Sequence, residues 1–397
     1  MKPTTETQGI PLSKGFSVFL CFLLSTVVLL VPVLLFVLPS SDYSEDENRM
    51  LATAPSFSAD VLFSGEYTEG LSAYLRDRLP LRSTLLKTKA AAEYAALKQE
   101  NNHVIAARNA YLIKRLEYTD GQLDTFRANL AAIDGIVTAL AQYEKPVSFV
   151  CAPRAMDVLI DLCPDTVEEP TERSVWQALA ASGTNAMTVT ELLRAHANAG
   201  EKVWYRTDHH WTTLGAYYAY TALGDALGYT PLPRAAFTEV TVCEDFLGTT
   251  YSACLAPFCR ADRITAMRYE GDEAFVCTDC STGTAEQGFY RETALAGKDK
   301  YEYFLGRNVA HIRIAKEQGS PRPTLLVIKD SYAQSLVPFL ARHFDIELID
   351  LRYFRTDATE TVRDIVTSPH YAGTLILCNA DTLTGDAGFS HLAAEKL

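Results

Sequence analysis

From Phe16 to Leu38 the chain runs for 23 residues without a charge, dominated by Leu, Val and Phe. At about 1.5 Å per residue, a helix of this length crosses a hydrocarbon core of roughly 30 Å. A buried helix in a soluble domain seldom stays uncharged for so long. Lys2 and Lys14 precede the run, and Asp42, Glu45, Asp46 and Glu47 follow it. The positive-inside bias then puts the N-terminus in the cytoplasm and everything after residue 40 outside. A cleaved secretory signal is the rival reading. The apolar core is longer than a usual signal core, and no clean small-x-small site follows it, which favours an uncleaved anchor.

The division that follows is a cytoplasmic tail over 1–15, a transmembrane anchor over 16–38, a stalk and helical lead-in over 39–105, and an extracytoplasmic domain over 106–397. A formal net charge of -13 with no basic run argues against a nucleic-acid partner. Of the nine cysteines, Cys243, Cys254, Cys259, Cys277 and Cys280 lie close together in sequence. Outside the cell some can pair, with a connectivity that spacing does not give. Cys277-Thr-Asp-Cys280 has the spacing of a redox or zinc motif but has no second such pair beside it. A structural disulfide or free thiol takes precedence there over a metal site.

The C-terminal part carries a plain α/β pattern. Leu325 to Ile328 is a short apolar run of the kind found in buried parallel strands, and a helix is expected over Ala333–Phe344. Ile346–Ile349 reads as the next strand. Asp357 with Glu360 offers a capping box for a helix to Val366, and Thr374–Leu377 reads as a third strand ending at Cys378-Asn379. Alternating strands and helices imply a parallel sheet with right-handed crossovers, whose ligands gather at the carboxyl ends of its strands. Upstream, Leu123, Phe126, Leu130, Ile133, Val137 and Leu140 mark an amphipathic helix, and Pro146–Cys151 reads as a strand. The stretch 237–303, with alternation at Phe237–Val242, Arg263–Arg268 and Ala274–Cys277, reads as a β-rich insertion.

The chemistry concentrates in Tyr205-Arg-Thr-Asp-His-His-Trp-Thr-Thr213. If this segment is extended, Asp208 and His210 share a face while His209 turns away to a structural role. A carboxylate beside an imidazole fixes its tautomer and stabilises the imidazolium formed when the ring takes a proton. Thr212 or Thr213 is a natural N-cap for a helix running towards Gly228. Ser331 follows the apolar run Leu325–Ile328 at a strand-to-helix turn, where backbone N–H groups can hold an oxyanion; capping by Asp330 and Ser331 is the plainer alternative. Asn379 can donate to an oxyanion or simply serve a strand-end turn. Arg352 can bind a carboxylate or hold a loop by a salt bridge. Trp211 and Tyr332, beside these groups, are further candidates for binding the oxyanion or the substrate. Adjacent His209 and His210 make a poor metal site without further ligands, so no metal and no cofactor are expected.

Taken together, Glu47-Asn-Arg49, Asp77-Arg-Leu-Pro-Leu-Arg82, Arg206-Thr-Asp-His-His-Trp-Thr-Thr-Leu-Gly-Ala216, Phe246-Leu-Gly-Thr249, Lys329-Asp-Ser-Tyr332 and Asp350-Leu-Arg-Tyr-Phe354 resemble the DHHW family of bacterial membrane-anchored proteins. That family is similar to the alginate O-acetyltransferase proteins. The resemblance implies an SGNH-hydrolase-like α/β fold: a parallel sheet flanked by helices, with the β-rich insertion, behind the N-terminal transmembrane helix. It implies Ser331 as nucleophile, His210 as general base and Asp208 as its orienter. It also implies an O-acetyl transfer to a cell-surface polysaccharide, with a membrane-bound O-acyltransferase as the partner that supplies acyl groups. Lys329 stands where many SGNH serine motifs have glycine. An O-acetyl esterase using the same three residues, and a glycan-binding scaffold that does no chemistry, are the competing functions.

Overall fold

The computed structural model describes residues 13–37, 41–115, 117–167, 175–354, 362–366, 368–386 and 388–389. They fall into two compact units that divide after Ala91. In the first, helix α1 covers Lys14–Val37. Its 24 residues extend about 36 Å, and it is long and apolar enough to cross a membrane. Beyond it, the Glu47-Asn-Arg49 and Asp77–Arg82 segments come together as an ion-pair network. The Arg49 guanidinium donates to both oxygens of Asp77, at 2.7 and 2.8 Å, while Glu47 accepts from Arg82 at 2.8 and 2.9 Å.

The second unit is built on an eight-stranded sheet. Strand β1 (Val147–Ala152) and the short β2 (Ala186–Met187) come first. β3 (Thr238–Phe246) and β4 (Asp262–Arg268) form a separate antiparallel pair. β5 (Phe275–Asp279), β6 (Ala285–Gln287), β7 (His311–Lys316), β8 (Thr324–Lys329), β9 (Asp345–Ile349) and β10 (Gly373–Asn379) complete the sheet. The order across it is β6-β5-β7-β9-β8-β10-β1-β2. The run from β9 to β2 is parallel, and β7, β5 and β6 extend the β9 edge as antiparallel strands. The stretch 237–303 therefore supplies both the separate β3–β4 pair and two strands of the main sheet.

Strand alternation explains the layers. Leu325 and Val327 of β8 pack on one face with Tyr220, Leu223 and Leu227 of helix Thr213–Leu227. Leu326 and Ile328 pack on the other with Phe126, Leu130 and Ile133 of helix Asp120–Ala141. That second helix begins at a capping box in which Thr119 and Gln122 satisfy each other's backbone N–H groups. Ile136 is fully buried on it and Val137 only partly, a small rotation from the expected face. The helix expected over Ala333–Phe344 is instead a 3-10 turn at Ser331–Ala333 and a short helix at Val337–Leu340. Pro338 sits in the first turn of that helix, where its missing N–H costs nothing, so the helix starts there and not earlier. The capping box at Asp357 and Glu360 lies outside the described residues, and the helix it would open is described over Val362–Val366.

Candidate active site

The segment bearing Asp208 and His210 is a loop, not an extended strand. Trp204 and Trp211 form an antiparallel bridge that closes it. Within the loop the Asp208 Oδ1 accepts both the His210 backbone N–H, at 3.0 Å, and the ring Nδ1, at 2.6 Å. The two side chains therefore meet through a tight turn and not through strand alternation. His209 does not turn away as an extended segment would require. Its ring centroid lies 3.8 Å from that of His210, and its Nδ1 is 2.6 Å from the Thr249 hydroxyl. Its side chain is 42% exposed, so the imidazole stands at the rim of the site.

The other Asp208 oxygen accepts from the Thr249 N–H at 2.9 Å and the Thr249 hydroxyl at 3.0 Å. Gly248 makes this approach possible, because a Cβ there would lie 2.4 Å from Asp208. Burial alone would raise the Asp208 carboxyl. The neighbouring imidazoles and these hydrogen bonds outweigh burial and hold the carboxyl well below the usual carboxylate range. Asp208 thus stays ionised. Asp299 lies within its electrostatic reach, and burial together with the Asp208 charge pushes Asp299 up to about 6.

Ser331 follows the carboxyl end of β8. Its Oγ is 2.7 Å from His210 Nε2, linking residues 121 apart in sequence. Asp330 fixes this turn: it accepts from the Tyr332 N–H at 2.9 Å, the Asn379 N–H at 2.6 Å and the Thr382 hydroxyl at 2.8 Å. Among the described residues no acceptor takes the Ser331 N–H. A hydroxyl, an imidazole and an ionised carboxylate linked in this order can pass a proton from oxygen to ring as the oxygen attacks an electrophile.

Other residues singled out from sequence are placed differently from expectation. The Asn379 side-chain amide donates to the Ala152 and Pro153 carbonyls, at 3.0 Å each, and its oxygen caps the following helix. Those bonds tie together the ends of β10 and β1 and leave the amide committed, so Asn379 is not an oxyanion donor here. Arg352 is held by Asp350, at 2.7 and 2.9 Å, which is its salt-bridge reading and not its substrate-binding one. Lys329 is buried and directed at the same carboxylate, 3.5 Å away. Trp211 is wholly buried and donates to the Tyr332 carbonyl and the Ser335 hydroxyl, both at 3.1 Å. The Tyr332 hydroxyl donates to the His209 carbonyl. Both aromatics therefore clamp the imidazole loop to the serine turn; they do not line a substrate groove.

Tyr301, absent from the sequence reading, stacks on His210 with ring centroids 3.8 Å apart and planes within 4°. Its hydroxyl reaches Ser335 at 3.1 Å and the Ser331 carbonyl at 3.4 Å. It lies in Lys298-Asp-Lys-Tyr-Glu-Tyr303, whose composition carries no catalytic signal. Thr249 and Gly248 did have a signal, since Phe246-Leu-Gly-Thr249 is one of the segments carrying the family resemblance.

Residues 181–349 match the family model described as DHHW protein. A crystal structure of a DHHW family protein from Eubacterium siraeum superposes with a TM-score of 0.59 at 20% identity, covering 73% of this chain and 95% of that one. PatB1 of Bacillus cereus, solved with a sulfonyl adduct, gives a TM-score of 0.57 at 17% identity, covering 72% of this chain and 98% of that one. The probable alginate O-acetylase AlgJ of Pseudomonas putida is 24% identical over 188 residues, which is 45% of this chain and 49% of that protein. The chain thus spans about half the length of that curated relative. The resemblance to the DHHW family holds, and the mostly parallel α/β sheet is that of the SGNH-like fold.

Proposed function

We propose that this DHHW-type chain is a membrane-anchored O-acyltransferase that transfers an acyl group, acetyl above all, to a hydroxyl of a cell-surface polysaccharide. The observation that carries the reading is the 2.7 Å contact between His210 Nε2 and Ser331 Oγ, with His210 Nδ1 tied to an ionised Asp208. Ser331 Oγ attacks the donor carbonyl while His210 takes its proton. The oxyanion is met by the Ser331 N–H, the donor's leaving group departs with that proton, and an acyl-serine remains. A sugar hydroxyl then attacks the ester carbon, gives its proton to His210, and leaves acylated as Ser331 is regenerated. The similarity to AlgJ, named as a probable alginate O-acetylase, supports the polysaccharide acceptor.

In this reading α1 anchors the chain with its N-terminus in the cytoplasm and holds the site outside the cell. A membrane-bound O-acyltransferase there is the partner that delivers acyl groups across the bilayer. The test is the intact mass of the full-length chain in detergent after exposure to an activated acetyl ester, alongside Ser331→Ala and His210→Ala. One acetyl adduct that maps to Ser331 and is absent from both variants is the expected result. An adduct equal in the variants, or none in the native chain, overturns the assignment. Decay of the adduct in water alone, unaffected by oligosaccharide, would make the protein an esterase.

A further inference from the structure

Cys277 and Cys280 are three residues apart, yet strand geometry separates their thiols. Cys277 is buried in β5, where its thiol donates to the Gly288 carbonyl at 3.2 Å. Cys280 lies just past the end of β5 and is exposed; its N–H donates to the His311 carbonyl at 3.0 Å. The ladder places the rest of its surroundings. In the β7–β9 register His311 opposes Ile349 and Arg313 opposes Glu347, so His311 and Glu347 lie diagonally on one face. The His311 Nε2 meets the Glu347 Oε1, and Arg313 approaches the other Glu347 oxygen at 3.2 Å. His311 and Glu347 are 8% and 6% exposed. The Cys280 Sγ, a His311 ring nitrogen and a Glu347 oxygen all lie within 4.8 Å of one another.

We propose that Cys280, His311 and Glu347 bind a borderline-soft divalent ion of the zinc type, through the thiolate, the imidazole Nε2 and the carboxylate, with water in the fourth position. Donors about 2.0–2.3 Å from a tetrahedral ion stand roughly 3.3–3.8 Å apart, so the Cys280 thiol approaches the other two by about 1 Å while the hydrogen-bonded His311 Nε2 and Glu347 Oε1 part to admit the ion. A thiolate with an imidazole and a carboxylate suits this class of ion, whereas a hard cation such as calcium takes oxygen donors. The charges balance: one thiolate, one carboxylate and a neutral imidazole neutralise a divalent ion, which displaces the thiol proton while the ring proton of His311 resides on Nδ1. Arg313 stays on the outer carboxylate oxygen and fixes its orientation. The three donors come from adjacent strands, so the ion clips together the antiparallel edge of the sheet. Glu347 pairs with Leu326 of β8, five positions before Ser331, roughly 16 Å back along the strand. The site is thus independent of the serine site and of any function assigned to it.

The experiment is a cobalt(II) titration of the reduced, metal-stripped full-length chain in detergent, read by absorbance, with zinc as competitor. The expected result is a thiolate-to-cobalt charge-transfer band and tetrahedral d–d bands, saturating at one ion per chain and discharged by zinc. Cys280→Ser, whose exposed side chain is not needed for folding, loses the charge-transfer band. His311→Gln and Glu347→Gln weaken binding about tenfold or more, with the fold checked by circular dichroism. Zinc raises the melting temperature of the native chain but not of Cys280→Ser. A band that survives in Cys280→Ser places the ion on another cysteine, and no band in the native chain means no thiolate ligand; either overturns the proposal.

Discussion

A Cβ at Gly248 would come within 2.4 Å of both the Cβ and the Oδ2 of Asp208, so alanine there must displace the carboxylate from His210. Gly248→Ala is expected to slow acylation of Ser331 about 10- to 100-fold while far-ultraviolet circular dichroism is unchanged. A rate within about twofold of native would mean that the carboxylate's position is immaterial. Asp299 sets a pH dependence. Its carboxyl is pushed up to about 6, so above that pH it is ionised and favours the imidazolium that His210 becomes during attack. Asp299→Asn should slow acylation roughly two- to fivefold above about pH 7 and have no effect below about pH 5, where the native carboxyl is already protonated. Equal slowing at both ends would remove Asp299 from this role. Asp208, His210 and Ser331 were legible because their residue types announce their chemistry. Tyr301 was not, because a stacked phenol is defined only by the ring it covers, and that ring comes from a different part of the chain.

At the scale of elements, the ion-pair network of the first unit makes the clearest prediction. Hydrogen bonds from Arg49 hold the Asp77 carboxyl well below the usual range, against the opposing effect of burial. The folded-state pKa is therefore below the unfolded one. The stabilisation is fully present above about pH 5 and is lost as pH falls through the carboxylate range. Asp77→Asn should destabilise this unit by about 2 kcal/mol at neutral pH and blunt its acid sensitivity. Hydrogen exchange at the amides of helix Glu66–Asp77, followed against pH in both proteins, checks this; identical protection would sink it. The helix Asp120–Ala141 was legible from its periodicity alone, with Ile136 and not Val137 completing the buried stripe. The segment after Ser331 was misread as one long helix because its apolar residues satisfy a helical period. What breaks it is a proline at the first turn of a shorter helix, together with Ser335 being engaged by Trp211 and Tyr301.

For the whole molecule, the parallel core was legible because strands buried on both faces read as unbroken apolar runs. The antiparallel edge was legible only as β-rich sequence around Ala274–Cys277; that β5, β6 and β7 join the main sheet was not, because their composition is mixed and the partners that tie them to it are distant in sequence. The serine site sits where the parallel strands end, as the topology of such sheets requires. Membrane association makes the prediction at this scale. Leu24→Lys puts a charge near the middle of α1 and should cost about 3 kcal/mol of insertion, shifting the chain from the carbonate-resistant membrane fraction to the extract. Unchanged retention would show that something other than α1 anchors it.

The His210 ring lies between Tyr301 on one side and His209 on the other, and Asp208 grips its far nitrogen. So confined, the ring has little room to swing between two stations, and in the proposed transfer a single nitrogen at a fixed position would serve both half-reactions. Incoming alcohol and outgoing leaving group must then use one doorway in turn. Donor and acceptor become rivals for the empty protein, and an excess of acceptor should throttle turnover by occupying the entrance before the acyl group has arrived.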